Sequence, residues 1–302
     1  MKKTIFGFGL GLGKLVKPTA YSLKIYCFST LVLLVLTVQS ANAQAKERMI
    51  SAGSSVTELF LALEATDQLV AVDLSSRAII TSPNIEQVGY HRQLSAEGLM
   101  ALNPTRLIGS NEMGPETTLQ LLAASQVDVI TVPSGNSVKD LYQRIDTIAK
   151  LTNTQANVAP LKQKIAASIS QLKNNPLSTS PKVLFLMVSQ DRPATVAGND
   201  TPINTIITLA GGSNPAAQSV NSYKPLSYEA IIAMAPDYIL VSERAWQKFN
   251  GKDGLLTQLP LLKATTAGQH GNILSIPSSA IIGGFGIESI ELAKQLNQLF
   301  TQ

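Results

Sequence analysis

The stretch LSAEGLMALNPTRLIGS, residues 94–110, is repeated farther along the chain as LSYEAIIAMAPDYILVS, residues 226–242. Aligned without gaps, the two stretches share six of 17 residues, and most other positions pair one apolar residue with another. Each stretch predicts a serine-capped short helix, a proline and then a strand. A tyrosine precedes each copy, Tyr90 before the first and Tyr223 before the second. The repeat therefore favours two similar α/β lobes within one chain.

Short strand-like runs alternate with helical patterns around these repeats. The predicted strands are residues 48–51, 69–72, 106–109, 127–132, 182–188, 237–241 and 272–276. The predicted helices include residues 56–65, 119–126, 138–151, 155–174 and 287–300. Such alternation is typical of a parallel or mostly parallel sheet with helices on both faces.

The predicted helix over residues 155–174 is long and carries one apolar stripe. At 1.5 Å per residue it spans about 30 Å, which is about the width of a small domain. The predicted fold class is therefore α/β, with two Rossmann-like lobes bridged by a single long α-helix. The predicted domains are a signal peptide at 1–43, an N-terminal lobe at 44–153, the bridging helix at 154–176 and a C-terminal lobe at 177–302.

The first 43 residues have the pattern of a secretory signal peptide. A basic region precedes a 14-residue apolar run at 25–38, and Ala41-Asn42-Ala43 supplies a small-x-small cleavage site. The apolar run is shorter than the roughly 20 residues of a transmembrane helix, and a short membrane anchor is the alternative. We therefore expect cleavage near Ala43 and a periplasmic location. Cys27, the only cysteine, lies in this segment, so the exported chain has no disulfide and no thiolate site.

The positive charge of the chain belongs to this leader. The whole sequence has 24 basic and 20 acidic residues, a formal net charge of +4, and residues 1–43 hold five lysines and no acid. Removing these five lysines leaves 19 basic residues against 20 acidic ones, so the exported chain is close to neutral. A near-neutral chain does not suit binding to a polyanion, and we expect no nucleic-acid partner.

The sequence contains no recognisable catalytic motif. It has two histidines, no HExxH, no GxSxG and no P-loop. The glycine-rich residues 283–286 precede the last predicted helix and are typical of a tight turn. We therefore expect a binding protein and not an enzyme, with the ligand held in the cleft between the lobes. An exported enzyme on the same scaffold is the alternative class.

The segment GYHRQLSAEG, residues 89–98, resembles the GYxRxLSxEG signature of periplasmic haem-binding proteins of bacterial ABC haem importers. Further segments match the same family in the same order along the chain. SSVTELFLALEA lies before this signature, and YKPLSYEA, DGLLTQLP and the late GFG turn lie after it. It implies a monomer that captures haem in the inter-lobe cleft and delivers it to an ABC transporter permease in the inner membrane. The alternative ligand within the same superfamily is a ferric siderophore or cobalamin.

The resemblance also implies which residues bind haem. Tyr90 is the expected axial ligand of the haem iron, and Arg92 is expected to favour its phenolate or to pair with a haem propionate. Arg244 is expected to reach the phenolate from the second lobe, with a solvated loop arginine as the alternative. Tyr223 and Trp246 are expected as aromatic walls of the cleft, although either could simply pack within its own lobe.

Three further positions bear on the ligation. His91 is expected to be a surface histidine, because neighbouring residues in an extended segment point to opposite sides. Met187 could bind iron but is expected in the core. Some members of the family that the chain resembles use a histidine from the second lobe as a further iron ligand. At that place this chain has Val188-Ser189-Gln190. This departure favours Tyr90 as the sole protein ligand.

Glu97 and Glu229 occupy equivalent places in the repeat. In the superfamily that the chain resembles, the matching glutamates, one on each lobe, dock onto arginines of the permease. Two carboxylates related by pseudo-symmetry suit a two-fold partner. The alternative is that each glutamate is the acidic half of a capping box at the start of its helix.

Overall fold

The computed structural model describes residues 47–189 and 193–301. The predicted signal peptide and Gln190 lie outside the described residues. The chain from Glu47 onward forms one compact unit. Within the described ranges, no helix combines the length and the apolar character needed to cross a membrane.

The first sheet has five parallel strands in the order β3-β2-β1-β4-β5. These strands are β1 (Met49–Ala52), β2 (Leu69–Val72), β3 (Glu86–Gln87), β4 (Arg106–Ser110) and β5 (Asp128–Val132). The helices of this half are α1 (Ser54–Ala62), α2 (Ala96–Met100), α3 (Glu116–Ala124) and α4 (Val138–Thr152). In a doubly wound sheet of this order, the carboxyl ends of the strands lie at one edge, where ligands bind.

The sequence predicted four of these five strands to within one residue. The missed strand, β3, has only two residues, both polar and exposed, so no apolar pattern marks it. Its partner β2 is mostly buried and has no charged residue. The buried strand β2 therefore has an apolar pattern that predicts a strand, whereas the exposed edge strand β3 has none.

Helix α5 (Val158–Lys173) lies in sequence between the two sheets. It begins later than the predicted residue 155, because residues 155–157 form a 3-10 turn. Pro160 then falls in the first helical turn, where its missing N–H costs no helical hydrogen bond. The buried side chains of α5 form the predicted apolar stripe and are Leu161, Ile165, Ile169 and Leu172. The role of α5 as a bridge between the lobes stays a prediction.

The second sheet is mixed, in the order β10-β9-β6-β7-β8. Its strands are β6 (Val183–Met187), β7 (Thr195–Ala197), β8 (Tyr223–Pro225), β9 (Tyr238–Ser242) and β10 (Ile273–Ile276). The remaining helices are α6 (Pro202–Leu209), α7 (Tyr228–Ala233), α8 (Glu243–Lys248), α9 (Gly251–Gln258), α10 (Thr266–His270) and α11 (Ile287–Phe300). The parallel part, β10, β9 and β6, matches the predicted strands, whereas the antiparallel β7 and β8 were missed because each has only three residues.

The two copies of the sequence repeat fold alike. Ser95 caps α2 and Ser227 caps α7, and each hydroxyl accepts a hydrogen bond from the N–H three residues farther on. Asn103 and Ala235, at equivalent positions, both have a φ of 47°. Strands β4 and β9 then follow at equivalent positions. The expected unit of serine cap, short helix, proline and strand is therefore confirmed in both halves.

One buried apolar cluster joins both sheets. It includes Met49 and Ile108 of the first sheet, Phe185 and Leu240 of the second, and side chains of α5 and α11. Helix α11 contacts α1 of the first half and α6 of the second half. It also contacts α5, which lies between the two halves in sequence. The two halves therefore share this cluster, and each half also buries a smaller cluster of its own.

The start of α11 is held by a buried carboxylate from the first half. Glu58 on α1 accepts hydrogen bonds from the backbone N–H groups of Ile287 (2.6 Å) and Glu288 (3.0 Å). The free N–H groups and the positive end of the helix dipole favour a negative charge here, although burial opposes it. A Cβ at Gly286 would overlap Glu58 Oε1, so a glycine is required at that position.

A buried arginine holds the turn before α11. Arg144 is fully buried, and its guanidinium donates to the carbonyl oxygens of Pro133 (2.9 Å), Ser134 and Phe285. Phe285 lies within the glycine-rich stretch, which forms the turn that its sequence predicted. The end of the chain is thus fastened to the first half by Arg144 as well as by Glu58.

The titration of Glu58 should make folding depend on pH. Burial raises the pKa of Glu58 from 4.5 to about 7, although the N–H groups of Glu288 and Ile287 and the charge of Arg144 oppose the rise. The folded chain then holds this proton more tightly than the unfolded chain, so stability is lost as the pH rises from 4.5 through about 7.

We expect the unfolding free energy of the wild type, minus that of Glu58→Gln, to fall by about 3 kcal/mol over this interval. Urea unfolding at several pH values measures the difference. Glu291→Gln, at an exposed carboxylate of α11 paired with Lys294, is the matched control and should show no such slope. A difference between wild type and Glu58→Gln that does not change with pH would contradict this account.

Candidate functional site

The carboxyl ends of four parallel strands bring the candidate residues to one edge of the first sheet. Gly53 follows β1, Asp73 follows β2, Tyr90 lies just beyond β3, and Glu112 lies just beyond β4. These strands are hydrogen-bonded neighbours in the order β3-β2-β1-β4. Residues far apart in sequence therefore meet where this fold class binds its ligands.

Asp73 organises this edge. Its buried carboxylate accepts hydrogen bonds from the N–H of Gly53 (2.9 Å), the N–H of Ser75 (3.0 Å) and the hydroxyl of Ser76 (2.9 Å). It also accepts from the backbone N–H of His91 (3.2 Å). Burial alone raises the pKa of Asp73, but the hydrogen bonds from His91, Ser75 and Gly53 outweigh burial and lower it below 3.8. Asp73 is thus a charged group held in the protein interior by its donors.

Tyr90 begins a tight turn. The N–H of Gln93 donates to the Tyr90 carbonyl oxygen (2.7 Å), and the N–H of Gly114 donates to the His91 carbonyl oxygen (2.9 Å). His91 is fully buried. The expectation of a surface histidine was therefore wrong, because it assumed an extended segment where the chain turns.

His91 lies between two carboxylates. Its Nδ1 is 3.1 Å from Asp73 Oδ2, and its Nε2 is 3.5 Å from Glu112 Oε2. Glu112 uses its other oxygen to pair with Arg92 at 2.7 Å. Burial lowers the pKa of His91, but the interactions with Asp73 and Glu112 are stronger and raise it overall. Acidic and basic side chains therefore alternate from the sheet edge outward, in the order Asp73, His91, Glu112 and Arg92.

Tyr90 is half-buried beside this chain of charges. Its ring centroid lies 4.2 Å from that of His91, with 57° between the ring planes. Burial raises the pKa of the Tyr90 phenol, the charges of Arg92 and Arg244 lower it, and that of Glu112 raises it, leaving the pKa above 10. The phenol is therefore neutral near pH 7 in the free protein.

Two predicted residues of the second half act on the same region. Arg244 lies in the first turn of α8, directly beyond the carboxyl end of β9, and its charge acts on the phenol of Tyr90. Tyr223, on β8, is 36% exposed, but desolvation of its phenol raises the pKa to about 12; the charge of Glu112 also raises it and that of Arg92 lowers it. Charges from both halves of the chain therefore act on the phenol of Tyr90.

Trp246 and Met187 have different surroundings. Trp246 on α8 is half-buried and packs against the apolar core of the second sheet, so its role as a cleft wall stays a prediction. Met187, expected in the core, is 46% exposed. That expectation was wrong because Met187 is the last residue of β6, where the strand leaves the sheet. Of the three positions that follow, Val188 and Ser189 are described and Gln190 is not.

Glu97 and Glu229 are both exposed, in the first turns of α2 and α7. They are the second helical residues and not the third, so the proposed capping boxes were wrong. A backbone hydrogen bond and the hydroxyl of Ser227 lower the pKa of Glu229. Both carboxylates are therefore placed in the same way at the surface, and their role in docking stays a prediction.

Asp73 and Glu112 are site residues that were not predicted from the sequence. Asp73 could have been found, because it is a carboxylate directly after a buried strand of a parallel sheet, where functional side chains collect. Glu112 lies in a loop with no pattern around it. Its importance follows only from its contacts with His91 and Arg92.

Comparison with known proteins establishes the family. The profile of the Periplasmic binding protein family matches residues 49–280, so the chain belongs to that family. It is a substrate-binding protein of the type that takes cobalamin, siderophores or haem, and members of this family are transport components and not enzymes.

Individual relatives refine this picture. The chain is similar to the periplasmic heme binding protein HutB of Vibrio cholerae, with 46% identity and a TM-score of 0.79 over 85% of this chain and all of that one. It is also similar to the periplasmic heme-binding protein RhuT of Roseiflexus sp. RS-1, with 31% identity and a TM-score of 0.79 over 85% of this chain and 98% of that one. The Vitamin B12-binding protein of Yersinia pseudotuberculosis serotype O:1b (strain IP 31758) is 25% identical over 76% of this chain and 81% of that protein.

Removing the Asp73 carboxylate should destabilise the whole edge. We expect Asp73→Ala to lower the unfolding free energy by about 3–5 kcal/mol, because it leaves His91 and several N–H groups buried without their acceptor. Asp146→Ala, which removes an exposed aspartate paired with Lys162, should cost less than about 1 kcal/mol. Urea unfolding measures both, and equal losses in the two variants would refute this role of Asp73.

Proposed function

We propose that this protein captures haem in the inter-lobe cleft, with Tyr90 as the axial ligand of the iron, and delivers it to an ABC importer. The observation that carries the proposal is the placement of Tyr90. Tyr90 lies at the edge formed by the carboxyl ends of the first sheet's strands. The charges of Arg92, from the same lobe, and Arg244, from the other lobe, act on its phenol. One potential metal ligand is thus subject to the charges of two arginines, one from each half of the chain.

This arrangement suits ferric haem. A phenolate is an anionic oxygen donor, and tyrosine is one of the known ligands of haem iron. Because the phenol is neutral in the free protein, binding requires the iron to displace its proton, and the nearby cations favour the phenolate that results. Arg92 is 55% exposed despite its pair with Glu112, so its guanidinium is also available to a haem propionate.

The named relatives support haem over the other ligands of the family. HutB and RhuT are both described as heme-binding, and they share 46% and 31% identity with this chain. Cobalamin remains the second candidate, because the curated sequence relative is a Vitamin B12-binding protein. A ferric siderophore is the third ligand of the same type. Titration with cyanocobalamin and with a ferric siderophore alongside hemin distinguishes them.

The cellular setting forms part of the proposal. We infer that cleavage near Ala43 releases a monomer into the periplasm and that α5 acts as the rigid bridge between lobes 44–153 and 177–302. The core shared by both sheets, α5 and α11 supports this rigidity. The free and loaded forms should then differ by little lobe rotation.

Hemin titration with matched tyrosine variants tests the ligand. The wild type should shift the Soret band of hemin. Tyr90→Phe should abolish the tyrosinate charge-transfer signal and lower the affinity by at least about 10-fold. Tyr142→Phe is the control, because Tyr142 lies on α4, where its hydroxyl donates to the Lys162 carbonyl oxygen. A Tyr90→Phe protein with the wild-type spectrum would overturn the assignment.

Docking is tested separately from haem binding. We expect Glu97→Lys combined with Glu229→Lys to slow haem-dependent stimulation of the importer by at least about 10-fold, because docking charges set register and association rate. Hemin affinity should not change in this variant. Glu64→Lys reverses an exposed charge elsewhere and is the control. Stimulation at the wild-type rate by the double variant would contradict the docking role.

A further inference from the structure

His91 has no part in the haem site as described so far, although its ring packs against that of Tyr90. Its side chain is fully buried, and its ring lies against that of Tyr90 with 4.2 Å between centroids. A buried imidazole directly behind a metal-binding phenol limits the positions that the phenol ring can take. The packing therefore allows His91 to set the position of the Tyr90 phenol.

The nitrogen atoms of His91 connect this contact to the charges around it. Nδ1 bonds to Asp73, which is fixed by the ends of β1 and β2. Nε2 is buried and makes no hydrogen bond, and it faces Glu112 at 3.5 Å. Glu112 in turn pairs with Arg92. One imidazole thus packs against the phenol ring and also faces Glu112, the partner of Arg92.

The backbone of His91 makes its own contacts, which do not depend on the side chain. Its N–H donates to Asp73, and its carbonyl oxygen accepts from Gly114. These bonds stay in any variant other than proline. A glutamine side chain can also donate to Asp73 in place of Nδ1. The turn can therefore form without the ring, so the imidazole is not needed for the turn alone.

We propose that His91 is a positioning residue for the iron ligand: its ring orients the Tyr90 phenol, and its Nε2, 3.5 Å from Glu112, limits where Glu112 and its partner Arg92 can lie. The inference rests on the proposed function, because it assumes that Tyr90 binds the iron. It assigns to His91 an effect on the ligand's geometry, and not contact with haem.

The test compares hemin binding and the electron paramagnetic resonance spectrum of the ferric complex in wild type and His91→Gln. We expect His91→Gln to bind hemin about 10- to 100-fold more weakly, as for residues that orient a metal ligand. We also expect a changed spectrum, because the phenolate meets the iron at another angle. His270→Gln, at the exposed end of α10, is the matched control and should match wild type in both.

His91→Phe separates the two parts of the proposal, because it keeps a ring against Tyr90 and removes both nitrogens. It should retain more of the wild-type spectrum than His91→Gln. A His91→Gln protein with wild-type affinity and spectrum overturns the inference. A His91→Gln protein also overturns the inference if its spectrum is unchanged and its loss of affinity only follows its loss of folding stability.

Tyr90→Phe, measured in the same series, shows which idea has failed. If wild type and Tyr90→Phe give the same hemin spectrum, the proposed function fails and the positioning role fails with it. If Tyr90→Phe loses the tyrosinate signal while His91→Gln matches wild type, only the positioning role fails.

Discussion

The site depends on one buried carboxylate. Asp73 has no exposed surface, so its charge persists only because the chain surrounds it with donors. Those donors come from the end of β1, from the turn after β2 and from the segment that carries His91. Satisfying this charge therefore draws three separate segments to one point, and the position of Tyr90 follows from that requirement.

Two further buried side chains, Glu58 and Arg144, fix how the two halves are joined. Glu58 and Arg144 hold the start of α11, and α11 packs across both halves of the unit. The same helix and the same apolar cluster thus connect the two sheets. Tyr90 lies beyond the edge of the first sheet, and Arg244 lies on α8, just beyond β9 of the second. The cations that act on the phenol stay in range because one apolar cluster joins the two halves.

Most of the fold could be predicted from sequence, because buried parallel strands and amphipathic helices carry strong periodic patterns. The parts that escaped prediction lack such patterns. Strands β3, β7 and β8 have two or three residues each, and their pairing is decided by neighbours. Of the site, Tyr90 and Arg92 could be named through their motif. The burial of His91 could not, because it results from a turn and from Asp73, 18 residues earlier in the chain.

The central claim is that the Tyr90 phenolate is the ligand through which the cleft holds haem iron. A crystal structure of the haem-loaded protein, with iron located by anomalous scattering, tests this most directly. The account predicts iron bonded to Tyr90 Oη, with Arg92 and Arg244 flanking the bond from the two lobes. Iron bonded to another side chain, or haem seated away from Tyr90, would contradict it.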